Sequence, residues 1–252
     1  MAYAIEVQHI YKSFGNLKAL YDVSLTVDEQ TITILIGPNG SGKTTLINVI
    51  SGFYKPDSGT VIYRGKPITG LPPHDVYRIG LARTFQIPAL FMKLTVLENL
   101  MVAIRENKGE GFAGSLFKNL WIVDERKAAE EAFKVLNIVG LTQMWDKPAN
   151  VLSGGQMKLL EIGRALMSGA QVILLDEPIS GVNPTLAHEI FAKLVKLRDN
   201  YGMTFFIIEH RLDIALSYVD KVVAMAYGKF LISGTPQEVT SDRRVIDAYL
   251  GG

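Results

Sequence analysis

Short apolar runs of strand length open and close this chain, and longer stretches at helical spacing fill its middle. Ile5–Ile10 and Tyr21–Val27 are β-rich runs bounded by turn residues. Together with the apolar run Thr31–Ile36 they predict a small sheet leading into a glycine-rich loop. Thr44–Ser51 reads as the helix after that loop. Pro56-Asp57-Ser58-Gly59 is a turn, Thr60–Arg64 alternates like a strand, and Pro72–Ile79 predicts a short helix. Leu81–Gln86 predicts another strand, ending in Gln86.

Helical signals then take over. Thr95-Val96-Leu97-Glu98 is a capping box, so a helix is expected over Thr95–Glu106. Asn107–Asn119, with Gly109, Gly111, Gly114, Phe112, Phe117 and Lys118, reads as a loose insertion, either a surface loop or a contact surface. Ala128, Ala132, Val135, Leu136 and Val139 share one helical face within Asp124–Val139. Leu152-Ser153-Gly154-Gly155-Gln156 opens a helix running through Met167. Beyond it, strands return at Gln171–Leu175, Thr204–Ile208, Val222–Ala226 and Phe230–Ser233, the last two as a hairpin turning at Gly228. Between them, Asn183-Pro184 starts a helix with Leu186, Ile190, Leu194 and Leu197 on one face, and Arg211–Tyr218 reads as another. Thr235–Glu238 is a further capping box. This alternation predicts an α/β core with a parallel sheet, built from about residues 1–86 and 169–252 and interrupted by a helical subdomain at about 87–168.

Composition narrows the chemistry. The 252 residues are 48% apolar, enough for a sizeable core, and the net charge of +1 gives no electrostatic footprint for nucleic acid. With no cysteine, disulfides, thiolate metal sites and cysteine catalysis are excluded. No charged-then-apolar leader opens the chain, and no run approaches the roughly 18 apolar residues that span a bilayer. A protein soluble by itself is expected, with any membrane role resting on a partner.

The chemistry centres on Gly37-Pro38-Asn39-Gly40-Ser41-Gly42-Lys43-Thr44-Thr45, which meets the phosphate-loop pattern G-x-x-x-x-G-K-[ST] at every fixed position. Its glycines let backbone approach anionic oxygens without a Cβ in the way. Loop amides and the helix N-terminus aim positive dipoles at phosphate. Lys43 supplies a point charge toward the β- and γ-phosphates, and the Thr44 hydroxyl can ligate Mg²⁺. A nucleoside triphosphate is the expected ligand.

Asp176 and Glu177 follow an apolar run at a strand's carboxyl end, the edge at which open α/β sheets bind ligands. Asp176 can hold Mg²⁺, and Glu177 can take a proton from attacking water. Gln86 and His210 also end strands and can reach that edge, although each alone is an ordinary polar residue. The turn Ser153-Gly154-Gly155-Gln156 offers a second anion site, from a hydroxyl, open amides and a helix dipole. One γ-phosphate does not need two such sites in one chain. The second is read as closing over ATP held by a neighbouring chain, against the plainer reading of a helix cap with a flexible entry. An aromatic upstream of the loop, Phe14 or Tyr11, can stack on adenine or simply pack.

In this order, the pieces resemble the nucleotide-binding subunit of an ABC transporter over almost the whole chain. Leu152–Gln156 reproduces the family's own signature, LSGGQ. The resemblance implies a phosphate-loop, RecA-like parallel-sheet core with an N-terminal antiparallel β subdomain and an inserted helical subdomain, all one ABC ATPase unit over 1–252. It implies ATP and Mg²⁺ as cofactors. Phe14 would stack on adenine, and Thr44, Gln86 and Asp176 would serve the metal. Glu177 would be the catalytic base and His210 the switch histidine. Ser153, Gly154, Gly155 and Gln156 would complete the ATP site of a second ATPase subunit, a homodimer partner or a paralogue. Ser180–Pro184 matches the D-loop, with Asn183 where many members carry Asp.

LARTFQ (81–86), TVLENL (95–100), the insertion after Arg105, LSGGQMKLLEIGRALM (152–167) and IIEHRLDI (207–214) are similar to the LivG-type ATPases of branched-chain amino-acid importers. This implies a peripheral protein at the cytoplasmic face of the cell membrane. Its partners would be membrane permease subunits and, indirectly, a periplasmic or extracellular solute-binding protein, with no nucleic acid. Ile87–Lys93 is the candidate permease dock. Importers of urea or other amides share much of this wording. A soluble ABC ATPase of DNA repair or translation, and a non-hydrolytic nucleotide-binding scaffold, are the readings from other classes.

Overall fold

A computed structural model describes residues 2–86, 88–104 and 118–250. Strands β1 (Tyr3–Phe14) and β2 (Leu17–Asp28) form a long antiparallel hairpin turning at Gly15-Asn16. Strand β3 (Ile32–Ile36) runs into the phosphate loop and helix α1 (Lys43–Ile50). Next come β4 (Ser58–Tyr63), β5 (Lys66–Pro67), helix α2 (Pro73–Arg78) and β6 (Leu81–Arg83). Helices α3 (Val96–Met101), α4 (Lys118–Val139) and α5 (Gly154–Met167) follow. The chain closes with β7 (Val172–Asp176), α6 (Pro184–Tyr201), β8 (Thr204–Ile208) and α7 (Leu212–Ala215). Last are β9 (Lys221–Ala226), β10 (Lys229–Gly234), α8 (Pro236–Ser241) and α9 (Arg243–Leu250).

Two sheets result. One is antiparallel, in the order β2-β1-β4-β5; the other runs β10-β9-β3-β8-β7-β6, parallel except for the β9–β10 hairpin. Strands β3, β7 and β8 are buried at every position, as a sheet covered on both faces requires. Period-two alternation divides them between two cores. Leu35, Leu174, Phe206 and Ile208 pack with α1 and the antiparallel sheet. Ile34, Ile173, Leu175 and Ile207 pack with α6 and the helices of the middle segment. All the carboxyl ends of the parallel strands therefore meet at one sheet edge. No helix among the described residues is long and apolar enough to cross a membrane.

Several sequence expectations are corrected. Strand β3 belongs to the six-stranded sheet, because a strand apolar on both faces cannot leave one face to solvent. Strand β1 runs on to Phe14, past the expected end at Ile10. Strand β6 stops at Arg83, so Gln86 lies three residues past the strand end. Thr84 still gives its N–H to Leu174, but the Phe85 N–H turns away to the Glu161 carboxylate. Helix α3 ends at Met101, where Ala103 and Ile104 bond back three residues and tighten the turn. Arg105 and Glu106 of the expected helix lie outside the described residues, as do Ile87 and residues 107–117 of the insertion. Helix α4 starts at Lys118, earlier than the expected Asp124. Helix α7 covers only Leu212–Ala215 of the expected Arg211–Tyr218.

Candidate active site

Strand β3 delivers the chain directly into the phosphate loop. A Cβ at Gly37 would lie 2.1 Å from the Met225 carbonyl oxygen, and one at Gly42 would lie 2.6 Å from that of Ala19. Gly42 also has φ +95°, a conformation side chains resist. No side chain caps α1, and its first turn carries no acidic residue. Its first amides and its dipole are thus left for an external anion. The Lys43 ammonium is buried and donates to the carbonyls of Gly37 (2.7 Å) and Pro38 (2.9 Å). Burial lowers its pKa, while Glu177 and Asp176 pull the other way. Thr44 is exposed beside it, with Asn39 and Gly40.

The acidic pair sits across from this loop at the end of β7. Asp176 is buried, and its Oδ2 accepts from Arg83 Nη2 at 3.2 Å. Glu177 has φ +50°, uncommon for a residue with a side chain and typical of strained functional positions. Its two oxygens receive different partners. Oε2 accepts from the Gln86 amide at 3.0 Å, and Oε1 faces His210 Nε2 at 3.2 Å. Gln86 and His210, far apart in the sequence, thus converge on the one carboxylate of Glu177.

The signature turn is built differently. Ser153 caps α5: its Oγ accepts from Gln156 N at 3.3 Å, and Gln156 Oε1 accepts from Ser153 N at 2.9 Å. The two glycines have separate jobs. A Cβ at Gly154 would meet nothing within 4 Å, so that side is open to a ligand. One at Gly155 would lie 2.1 Å from Leu186 Cδ2 and 3.5 Å from Val182 Cγ1. Gly155 therefore packs against the start of α6. Among the described residues, no hydrogen bond joins the 153–156 turn to the phosphate loop. Asn183 Oδ1 accepts from Leu186 N, so its side chain caps α6. Phe14 is 42% exposed and edge-on to Tyr54 at 5.2 Å, whereas Tyr11 packs against Tyr21 at 5.3 Å. Of the two aromatics, Phe14 presents the more accessible ring.

Sequence reasoning missed several residues that hold this site. Arg83 donates to Asn48, Ser51 and Asp176 and lies 5.4 and 5.2 Å from the ring centroids of Phe53 and Phe85. The Glu209 carboxylate is buried and accepts from the N–H groups of Ile179, His210 and Arg211, tying the loop after Glu177 to the His210 turn. Burial pushes its pKa up, against those bonds. On α5, Lys158 donates to the carbonyls of Phe85 and Gln86, Glu161 accepts from Phe85 N, and Arg164 donates to the Ala89 carbonyl. Charged residues spaced three apart in an otherwise apolar helix were the available signal.

A hard divalent cation suits this edge. Thr44 and Asp176 supply oxygen donors, and no group of three His, Cys, Asp or Glu able to hold a metal occurs among the described residues. Such an ion would complete its shell with phosphate oxygens and water, as Mg²⁺ commonly does.

Together, sheet, loop and acidic edge define a phosphate-loop ATPase. The ABC transporter family model matches residues 20–180, and the chain belongs to that family as an ATP-hydrolysing subunit. A second model, "Branched-chain amino acid ATP-binding cassette transporter", matches residues 233–252. The probable branched-chain amino acid transport ATP-binding protein LivG of Methanocaldococcus jannaschii is 47% identical over 98% of this chain and 97% of its own. Its counterpart in Archaeoglobus fulgidus is 44% identical over 98% and 95%. The high-affinity branched-chain amino acid transport ATP-binding protein BraF of Pseudomonas aeruginosa is 39% identical over 98% and 97%. Among solved structures, a nucleotide-free ATP-binding cassette from an ABC transporter superposes with a TM-score of 0.86 at 46% identity, covering all of both chains.

Proposed function

We propose that this chain powers import of branched-chain or other hydrophobic amino acids, as one of two ATPase subunits on the cytoplasmic side of a membrane permease. The observation that carries the ATPase half is the convergence of Gln86 and His210 on Glu177, beside buried Asp176. The named relatives and the 233–252 match support the transported class.

In this reading ATP lies on the phosphate loop, with Phe14 against adenine and Lys43 turning from the loop carbonyls to the terminal phosphates. Water attacks the γ-phosphorus, the bond to the bridging oxygen breaks, and ADP leaves. Glu177 takes the proton of the attacking water, help worth about 10²–10⁴ in rate. Thr44 and Asp176, with Gln86 nearby, would hold a Mg²⁺ ion, which when bound would supply charge neutralisation for the phosphates. Ser153–Gln156 of a second ATPase subunit, identical or paralogous, closes over the γ-phosphate. Helices α3, α4 and α5 form the unit that moves with this closure, and a solute-binding protein outside the cell delivers the cargo.

Glu177→Gln should keep ATP affinity, nearly abolish phosphate release and accumulate an ATP-bound dimer, read by light scattering. Turnover at the wild-type rate removes Glu177 as base. Co-purified permease subunits reconstituted with their binding protein should take up leucine, isoleucine or valine. Uptake of urea alone would reassign the cargo.

A further inference from the structure

We propose that Tyr249, on the terminal helix α9, is a positioning residue for the phosphate loop. Its hydroxyl accepts the N–H of Gly37 at 2.8 Å, across 212 residues of sequence. Gly37 is the residue at which β3 turns into the loop, and it is buried. Its carbonyl is the oxygen that receives Lys43 Nζ at 2.7 Å. One residue of the loop is thus gripped on both sides, by the loop's own lysine on the oxygen and by Tyr249 on the nitrogen.

The position of Tyr249 is itself fixed. Val245 and Ala248 bury the inner face of α9, and Asp242 accepts the Arg244 N–H at 2.8 Å ahead of it. The Tyr249 ring lines a cavity of about 280 Å³ with Ile36, Leu212, Val245 and Ile246. Ile36 precedes Gly37, and Leu212 follows His210 by two residues. Helix α9 therefore meets the entry to the phosphate loop through Tyr249, and it shares a cavity with Leu212 at the start of α7. Tyr249 also falls within the 233–252 segment of the second family match, which contributes no residue to the site described above.

A buried N–H that loses its acceptor seeks another, and the loop entry gains conformations. Ordering it again is then charged to nucleotide binding. Tyr249→Phe removes only the acceptor. It should weaken ATP binding by about 3- to 10-fold, the range of one net hydrogen bond. The KM for ATP should rise in step, with kcat at saturating ATP unchanged, because Tyr249 meets no reacting atom.

The inference rests on the ATPase reading, and the experiment separates the two. ATP affinity, KM, kcat and melting temperature are measured for wild type and Tyr249→Phe, with amide exchange at Gly37. A raised Kd and KM, faster Gly37 exchange and retained melting support the proposal. An unchanged Kd overturns it, whether or not melting falls. Wild-type protein that failed to bind ATP would count against the ATPase reading, and amide exchange would still decide the role of Tyr249. Where Tyr249→Phe yields no folded protein, wild-type exchange decides alone. Gly37 exchanging much more slowly than Gly40 supports the contact, and equal rates overturn it.

Discussion

Replacing Arg83 by Met tests how the acidic edge is held. Arg83 and Asp176 are 7% and 10% exposed at the side chain and 3.2 Å apart. Burial lowers the Arg83 pKa, and the adjacent Asp176 charge is the main influence opposing it. Removing one partner of such a pair strands the other charge in a site poor in water, a loss of about 3–5 kcal/mol. The bonds to Asn48 and Ser51 and the stacking on Phe53 and Phe85 go with it, but these share the same side chain and do not simply add. In a chain of this size each kcal/mol moves melting by about 2–4 °C, so Arg83→Met should melt about 6–20 °C lower. Calorimetry of nucleotide-free protein at neutral pH reads the shift. The cause is isolated by a cycle with Asp176→Asn. The double variant should lose less than the two single losses combined, with a coupling of at least about 1 kcal/mol. A melting change under about 2 °C, or strict additivity, would refute the idea that Arg83 compensates Asp176.

Gly155→Ala should destabilise by about 1–3 kcal/mol through overpacking against Leu186, whereas Gly154→Ala, which meets nothing, should not lower the melting temperature; equal losses would dissolve the distinction. Glu161 titrates above the ordinary carboxylate range, chiefly through burial. Its contribution to stability is then complete below the unfolded value of about 4.3 and is lost as pH rises through the folded value. The stability of wild type relative to Glu161→Gln should accordingly fall as pH rises from about 4, and urea midpoints that keep a constant difference would refute this. Lys43→Ala should abolish nucleotide binding, measured by calorimetric titration. Phe91 and Met92 are 51% and 41% exposed beside the Gln86 segment, so replacing both by Ser should weaken permease co-purification without changing nucleotide affinity. Undiminished capture would remove that surface.

The legible parts of the fold were those set by local rules. The capping boxes at Thr95 and Thr235 form as their spacing requires, the Asn183 cap holds α6, and the Ser153 turn, read as an anion site or a plain cap, also closes as a capping box. The phosphate loop was readable because close backbone approach leaves only glycine at Gly37 and Gly42. Strand partnership was less accessible. Periodicity shows that β3 is buried on both faces, but not that its neighbours are β8 and β9, nearly 170 residues away or more. Arg83 was invisible as an anchor because one arginine at the end of a three-residue strand carries no pattern. Its importance arises only when β6 and β7 pair and bring Asp176 alongside. Tyr249 poses the same difficulty, since its hydroxyl meets Gly37 across 212 residues of sequence and only the tertiary fold brings them together.

Helix α5 joins two regions that the sequence presents as separate motifs. Its first turn is the Ser153–Gln156 cap, and beyond it come buried Lys158 and Glu161 and half-buried Arg164 at spacings of three. Those three side chains bond to backbone at Phe85, Gln86 and Ala89. At the other end of that segment, the Gln86 side chain reaches Glu177. A helix is stiff along its axis, and backbone groups anchored by buried charges cannot slip without stranding them. A tilt of α5 must therefore carry Phe85, Gln86 and Ala89 with it, or else break bonds to Lys158, Glu161 and Arg164. Gln86 would leave Glu177 in the first case and keep it in the second. The pairing of Gln86 with Glu177 thus reports on the orientation of the helix that bears the signature turn, through named hydrogen bonds within a single chain.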